Sequence, residues 1–260
     1  MSSLPRKTKR AKYTKKVNGR VIKIDRPSKT HESTLPIKDE KQLEKLIRHC
    51  EYRIKVAKGE FQQYLANRDY IMVILGLNTA LRAEDLLQLK VKDITRGRVW
   101  ITENKTQKQQ DFFLSAPVRE VVTRYIAQYD LTHNEYLFQS RRTGNSETGR
   151  PISRAQAFKI MKELGHYIGI DYSFGLHSLR KTFGYQYIKH AENQWSAFLN
   201  LQRMYNHSTI AVTQLYICWD KDDVEKSREN ISIGIKGKNE TRASNSVSSR
   251  KKQYSKNKKQ

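Results

Sequence analysis

Apolar residues along the chain keep two different periods. Leu43, Leu46, Ile47, Cys50 and Ile54 fall three and four apart over residues 38–57, the spacing of one helix face. A second helix is expected over about 61–77, ending near Asn78-Thr79, and a third through "RAEDLLQL", where Leu86, Leu87 and Leu89 are apolar. The period then shortens. "VKDI", "RVWIT" and "DFFLS" are short and rich in β-branched or aromatic residues, and "TRG" and "ENKTQKQQ" separate them. They predict a small antiparallel sheet of three strands. From Pro117 the helical period returns, predicting helices at 117–128, 153–168, 178–190, 195–204 and 208–217, with one more near 221–230. "SRRTGNSETGRPIS" reads as a long polar loop, punctuated by Gly144, Gly149 and Pro151. The fold class is therefore mainly α with one small three-stranded sheet (α+β), over a body of about residues 36–235.

Charge changes this picture at both ends. The 260 residues carry a net charge of +24, and hydrophobic residues make up 37% of them, low for a chain packed throughout. Residues 1–30 hold 11 Lys/Arg and one acid; residues 236–260 hold nine and one. Such segments repel themselves and bury no apolar area. Residues 1–35 are thus expected to be a disordered basic arm, and 236–260 a disordered basic tail. The 205 residues between, 31–235, keep a net charge of only +6. The natural partner of basic tails is a polyanion, and nucleic acid fits best, because neutralised phosphates release counterions. Two cysteines, Cys50 and Cys218, build no disulfide framework, which points to a reduced, cytoplasmic setting. No apolar stretch follows the basic N-terminus, so no signal peptide is read there. The longest apolar run, Ile71–Leu77, is too short to span a bilayer.

Three stretches carry candidate chemistry. "TALRAEDLLQLKVKDI" contains Arg82. "HSLRKTF" sets His177 and Arg180 three apart on the first turn of a helix. "NHSTIAVTQLYI" contains His207 and, nine residues on, Tyr216. Each is weak alone: an arginine beside a leucine-rich helix is usually a surface ion pair, and one tyrosine among 14 is usually a packing residue.

In this order and spacing the three resemble the boxes of the tyrosine recombinase (phage integrase) family, over roughly residues 36–220. The first is similar to the family's threonine–small–leucine–arginine box, the second to its His-x-Leu-Arg box, the third to its Gly-His-Ser-x-x-x-x-Thr-x-x-Tyr ending. The resemblance implies that family's catalytic-domain architecture and a site-specific DNA strand exchange through a 3′-phosphotyrosyl intermediate. It makes Tyr216 the nucleophile, His177 the general base, and Arg82, Arg180 and His207 the phosphate ligands. Arginine suits that role, being permanently charged, planar and bidentate toward phosphate. A lysine on the hairpin between the second and third strands would protonate the leaving 5′ oxygen. "ENKTQKQQ" offers Lys105 and Lys108, and "NKT" favours Lys105. Asp85, three residues after Arg82, would orient the site. No cofactor and no metal is implied. The implied partner is double-stranded DNA, held by a homotetramer that exchanges its C-terminal segments, in the cytoplasm of a bacterium and on nucleoid, phage, transposon or plasmid DNA.

The chain also departs from the family's pattern. Asn206 stands where glycine usually precedes the histidine, and "AENQWS" lengthens the gap from Arg180 to His207 to 27. About 35 residues precede the body, too few and too basic to pack the separate helical DNA-binding domain of other members. The arm itself, or an accessory DNA-binding protein, would then complete the grip. The competing reading is a DNA-binding regulator that keeps the fold without cutting. Retention of all six proposed catalytic residues argues against it.

Overall fold

The structure, a computed structural model, describes residues 34–140 and 149–219, and the backbone of two short strands, β1 (Tyr13–Val17) and β2 (Arg20–Ile24). These two pair antiparallel, Tyr13 opposite Ile24 and Val17 opposite Arg20, inside the arm that the composition marks as disordered. The rest of that arm, the basic tail, the helix expected near 221–230 and residues 141–148 of the polar loop lie outside the described residues.

The body is helical. α1 (Glu40–Val56) starts on Asp39, whose carboxylate accepts the Lys41 N–H, and it buries Leu46 and Cys50. α2 (Glu60–Asn78) follows, then the short α3 (Ala83–Leu87). After the sheet come α4 (Ala116–Gln128), α5 (Arg154–Tyr167), α6 (Leu176–Lys189), α7 (Gln194–Tyr205) and α8 (Ile210–Ile217). α2 buries Ile71, Met72, Val73 and Leu75, as a helix enclosed on several sides must. It packs against α1, α3, α4 and α6, which makes it the axis of the main core. Its Arg68 and Asp69 are buried too, as a charge-paired unit. Arg68 Nη2 donates to Asp69 Oδ1 at 2.8 Å, Arg68 Nη1 to the Gln139 carbonyl at 3.0 Å, and Arg53 Nη2 to Asp69 Oδ2 at 3.1 Å.

The expected three-stranded sheet is present, in the order β3 (Ile94–Thr95), β4 (Arg98–Thr102), β5 (Gln109–Phe113), all antiparallel. Arg96 and Gly97 turn β3 into β4 with φ of 51° and 79°. Both values are positive, as a two-residue primed hairpin turn requires. The first strand is shorter than "VKDI" suggests. Val91–Asp93 forms a 3-10 turn instead. Asp93 Oδ2 accepts the Lys90 N–H at 2.8 Å, and the Asp93 N–H donates to the Lys90 carbonyl at 3.0 Å. A short polar side chain bonding its own backbone outcompetes the ladder there.

A second, smaller core lies between α6, α7 and α8. Ile188, Phe198, Leu201, Tyr205, Ile217 and Trp219 are buried in it. Among the described residues no helix is long and apolar enough to cross a membrane.

Candidate active site

Three segments far apart in sequence converge where the second core meets the sheet. Arg82 is the extended residue that opens α3. His177 and Arg180 lie on the first turns of α6. Tyr205 ends α7, Asn206 reverses the chain in the left-handed region (φ 54°, ψ 39°), and His207 follows. Asparagine tolerates that region better than most side chains, so it replaces glycine here without breaking the turn. Thr209 then caps α8 by accepting the Val212 N–H, and Tyr216 stands one residue before the end of α8.

The two arginines share an anchor. Arg82 Nη2 and Arg180 Nη2 donate to the same carbonyl, that of Tyr205, at 3.2 and 3.3 Å. Arg180, 2% exposed, also donates to the Ala80 carbonyl. Its guanidinium lies 4.4 Å from the Tyr205 ring centroid and 6.0 Å from that of Tyr216. The Tyr205 hydroxyl donates back to the Arg180 carbonyl, so α6 and the end of α7 are cross-tied. The rings of Tyr205, His207 and Tyr216 meet edge to face, with centroids 5.1–5.4 Å apart. The Lys181 ammonium lies 5.2 Å from the Tyr216 ring and donates to the Thr34 carbonyl.

Position sets the protonation states. Burial raises the pKa of the Tyr216 phenol; the charges of Arg180 and Arg82 and a hydrogen-bonding approach by Arg180 pull against that rise. Desolvation, then the charges of Arg180 and Arg82, lower His207 to about 4, so its imidazole is neutral at pH 7. His207 Nδ1 is 3.1 Å from Thr213 Oγ1. His177 keeps an exposed face, yet its ring is crowded enough to lose hydration. That loss, followed by the charges of Arg180, Arg154, Lys181 and Arg82, lowers its pKa as well. A neutral imidazole at neutral pH has a lone pair free to accept a proton.

Asp85 and the β4–β5 hairpin complete the surround. Asp85 is buried, and its Oδ1 accepts the Asn104 N–H at 2.9 Å, tying α3 to the hairpin. Burial raises its pKa, which the Asn104 N–H partly offsets. Lys105 follows Asn104 directly on the exposed turn, and Lys108 stands further along it. So the structure gathers Arg82, His177, Arg180, His207 and Tyr216, and places Asp85 against the base of the hairpin that carries Lys105.

Four further residues take part here, and of these Thr213 stands at the threonine of the third box. Tyr205 supplies the shared carbonyl, Thr213 contacts His207, and Lys181 sits over Tyr216. The fourth, Glu103, is 1% exposed and forms an ion pair with Arg82.

Comparison with known proteins identifies the family and the fold. The model of the "Phage integrase family" matches residues 37–222. "Probable integrase/recombinase YoeC" of Bacillus subtilis (strain 168) is 39% identical over 167 residues, covering 63% of this chain and 86% of that protein. "Tyrosine recombinase XerA" of Pyrococcus furiosus is 26% identical over 151 residues, and there the chain spans 49% of the relative's length. Among solved structures, XerH site-specific recombinase bound to its palindromic difH substrate superposes with a TM-score of 0.58 at 20% identity. That match covers 79% of this chain and 55% of the other, and it speaks for the fold.

Proposed function

The chain belongs to the phage integrase family, and on that premise we propose that it is a tyrosine-type site-specific recombinase. It cleaves and rejoins DNA strands with Tyr216 as nucleophile. One observation carries this reading: Arg82 and Arg180 are fixed to a single carbonyl beside the Tyr216 and His207 rings. A phosphodiester repels nucleophiles, and attack adds charge to its non-bridging oxygens. Two fixed guanidiniums stabilise that charge, each well-placed donor being worth about 3–4 kcal/mol.

In the proposed reaction the Tyr216 oxygen attacks the scissile phosphorus. Its proton passes to His177, whose pKa is lowered but which stands in the neutral form required. The bond to the 5′ oxygen breaks as a 3′-phosphotyrosyl ester forms. Lys105 gives the departing 5′ oxygen its proton. His207 donates a hydrogen bond to the phosphate, and Asp85 holds the hairpin. One ester replaces another, so a 5′ hydroxyl from a second strand reverses the step and reseals the DNA.

The assembly on DNA is a homotetramer, with the segment after Trp219 passing between protomers. Trp195 on α7 and Val212 and Leu215 on α8 are exposed apolar side chains, Leu215 by 75%, that such a segment could cover. The basic arm, alone or with an accessory DNA-binding protein, completes the hold on the duplex. The reaction takes place in the bacterial cytoplasm on nucleoid DNA or a mobile element such as a plasmid.

The test is to lyse expressing cells in denaturant, sequence the DNA left attached to the protein, and rebuild it as a nicked suicide substrate. Wild type is expected to give a slow-migrating covalent species on a denaturing gel. Tyr216→Phe is expected to give none while binding the same DNA. An adduct that persists in Tyr216→Phe removes Tyr216 from the mechanism.

A further inference from the structure

We infer that Glu103 is a positioning residue of this site: its carboxylate fixes Arg82 and ties it, through Asn206, to the turn that presents His207. The inference rests on the recombinase reading above.

The hairpin "TENKTQKQQ" reads as a solvated turn, yet its glutamate is almost wholly enclosed. A buried carboxylate needs partners, and this one has four. Arg82 forms an ion pair with it. The Thr106 hydroxyl donates to Oε2, and Gln110 Nε2 donates to Oε1 at 3.2 Å. Asn206 Nδ2 donates to Oε2 at 3.1 Å. Two partners come from its own hairpin and two from elements 21 and 103 positions away in sequence. Burial works against ionisation here. The hydrogen bonds from Thr106 and Arg82 and the charges of Arg82 and Arg180 outweigh it, so the carboxyl titrates below its ordinary range.

An alternative is that Glu103 imitates a phosphate and must be displaced by DNA. The contacts decide against it. Thr106 and Gln110, both half-buried, hold the carboxylate from its own hairpin, so a departing Glu103 would have to give up these two donors as well as Asn206 and Arg82. The carboxylate stays and orients. Its contact with one guanidinium nitrogen, and the Tyr205 carbonyl on the other, fix the Arg82 plane from two sides. An unheld arginine would spread over several rotamers and lose the aligned two-pronged contact that phosphate requires. The unusual Asn206 is then functional: it supplies both the left-handed turn and a donor that glycine lacks.

The experiment uses full-length protein and the suicide substrate, measuring DNA affinity and the rate of adduct formation at saturating DNA. Glu103→Gln keeps the shape and removes the charge; Glu103→Asp keeps the charge and shortens the reach. Glu103→Gln is expected to slow adduct formation at least 10-fold with affinity changed under 3-fold, and Glu103→Asp to retain more rate than Glu103→Gln. A side chain needed only for packing would give the reverse order. A wild-type rate in Glu103→Gln, a loss confined to affinity, or a larger loss in Glu103→Asp overturns the inference. Melting curves establish that the variants are folded. Should Glu103→Gln not fold, Asn206→Gly keeps the turn and deletes one donor. It is expected to lower the rate 2- to 5-fold at unchanged affinity, and an unchanged rate overturns the inference equally. Wild type that forms no adduct fails the recombinase reading itself; wild-type adduct with indifferent variants fails only the role of Glu103.

Discussion

A neutral imidazole has one donor and one acceptor, and its neighbour decides which nitrogen is which. His207 is neutral at pH 7, and its Nδ1 faces Thr213 Oγ1 at 3.1 Å. The same hydroxyl can instead donate its one proton to the Thr209 carbonyl at 3.3 Å, the longer of its two contacts. When Thr213 donates to Nδ1, the Nε2–H is left to meet a phosphate oxygen, which is the proposed role of His207. Thr213 is fully buried one helical turn before Tyr216 and has no exposed surface of its own. Thr213→Val keeps its volume and removes the hydroxyl. The expected result is a 5- to 10-fold slower adduct formation at saturating DNA, the equivalent of about 1–1.4 kcal/mol. A suicide-substrate time course beside a melting curve checks this; an unchanged rate in a folded variant would free His207 of its dependence on Thr213.

Elements place these residues, and α8 is the one with most at stake, being eight residues long with one face held by the second core. Its seat depends on Gly184 of α6, where a Cβ would collide with the Tyr205 hydroxyl and the Ile217 methyl. Gly184→Ala is therefore expected to cost about 1–3 kcal/mol by overpacking, seen as a lower Tm, and to displace Tyr216 enough to reduce adduct yield. An unaltered Tm would mean that α6 and α8 have room for the extra methyl. At this scale the sequence is readable where an element's reason is local. Apolar spacing predicts every body helix from α1 to α8 within about two residues, because that spacing and caps such as Asp39 and Thr209 lie inside or beside each segment. "VKDI" misleads because Asp93 bonds its own turn, which alternation does not reveal. The arginines, histidines and tyrosine are legible from their spacing in three boxes. Glu103 is not. Nothing near it in sequence marks it as buried, since its enclosure is made by Arg82 and Asn206 arriving from elsewhere in the chain.

For the whole molecule the question is where binding free energy comes from. Residues 31–235 have a net charge of only +6, while residues 1–30 carry +10 and residues 236–260 carry +8. The chemistry is proposed to lie wholly in the body, so grip and reaction are separable. Affinity for DNA falls with salt by about 0.9 log units per log unit for each phosphate neutralised. Deleting residues 1–30 is expected to weaken binding and to flatten that slope by this amount for every phosphate the arm neutralises; deleting 236–260 is expected to act similarly. Removing both should leave a shallow slope set by the body. The rate of adduct formation at saturating DNA should stay near wild type throughout, because Arg82, Arg180, His207 and Tyr216 are untouched. Fluorescence anisotropy across a salt series measures the slopes, and the suicide substrate measures the rate. An unchanged slope would put the phosphate-neutralising charges on the body alone, and a collapsed rate at saturation would mean that the arm reaches into the site that cuts.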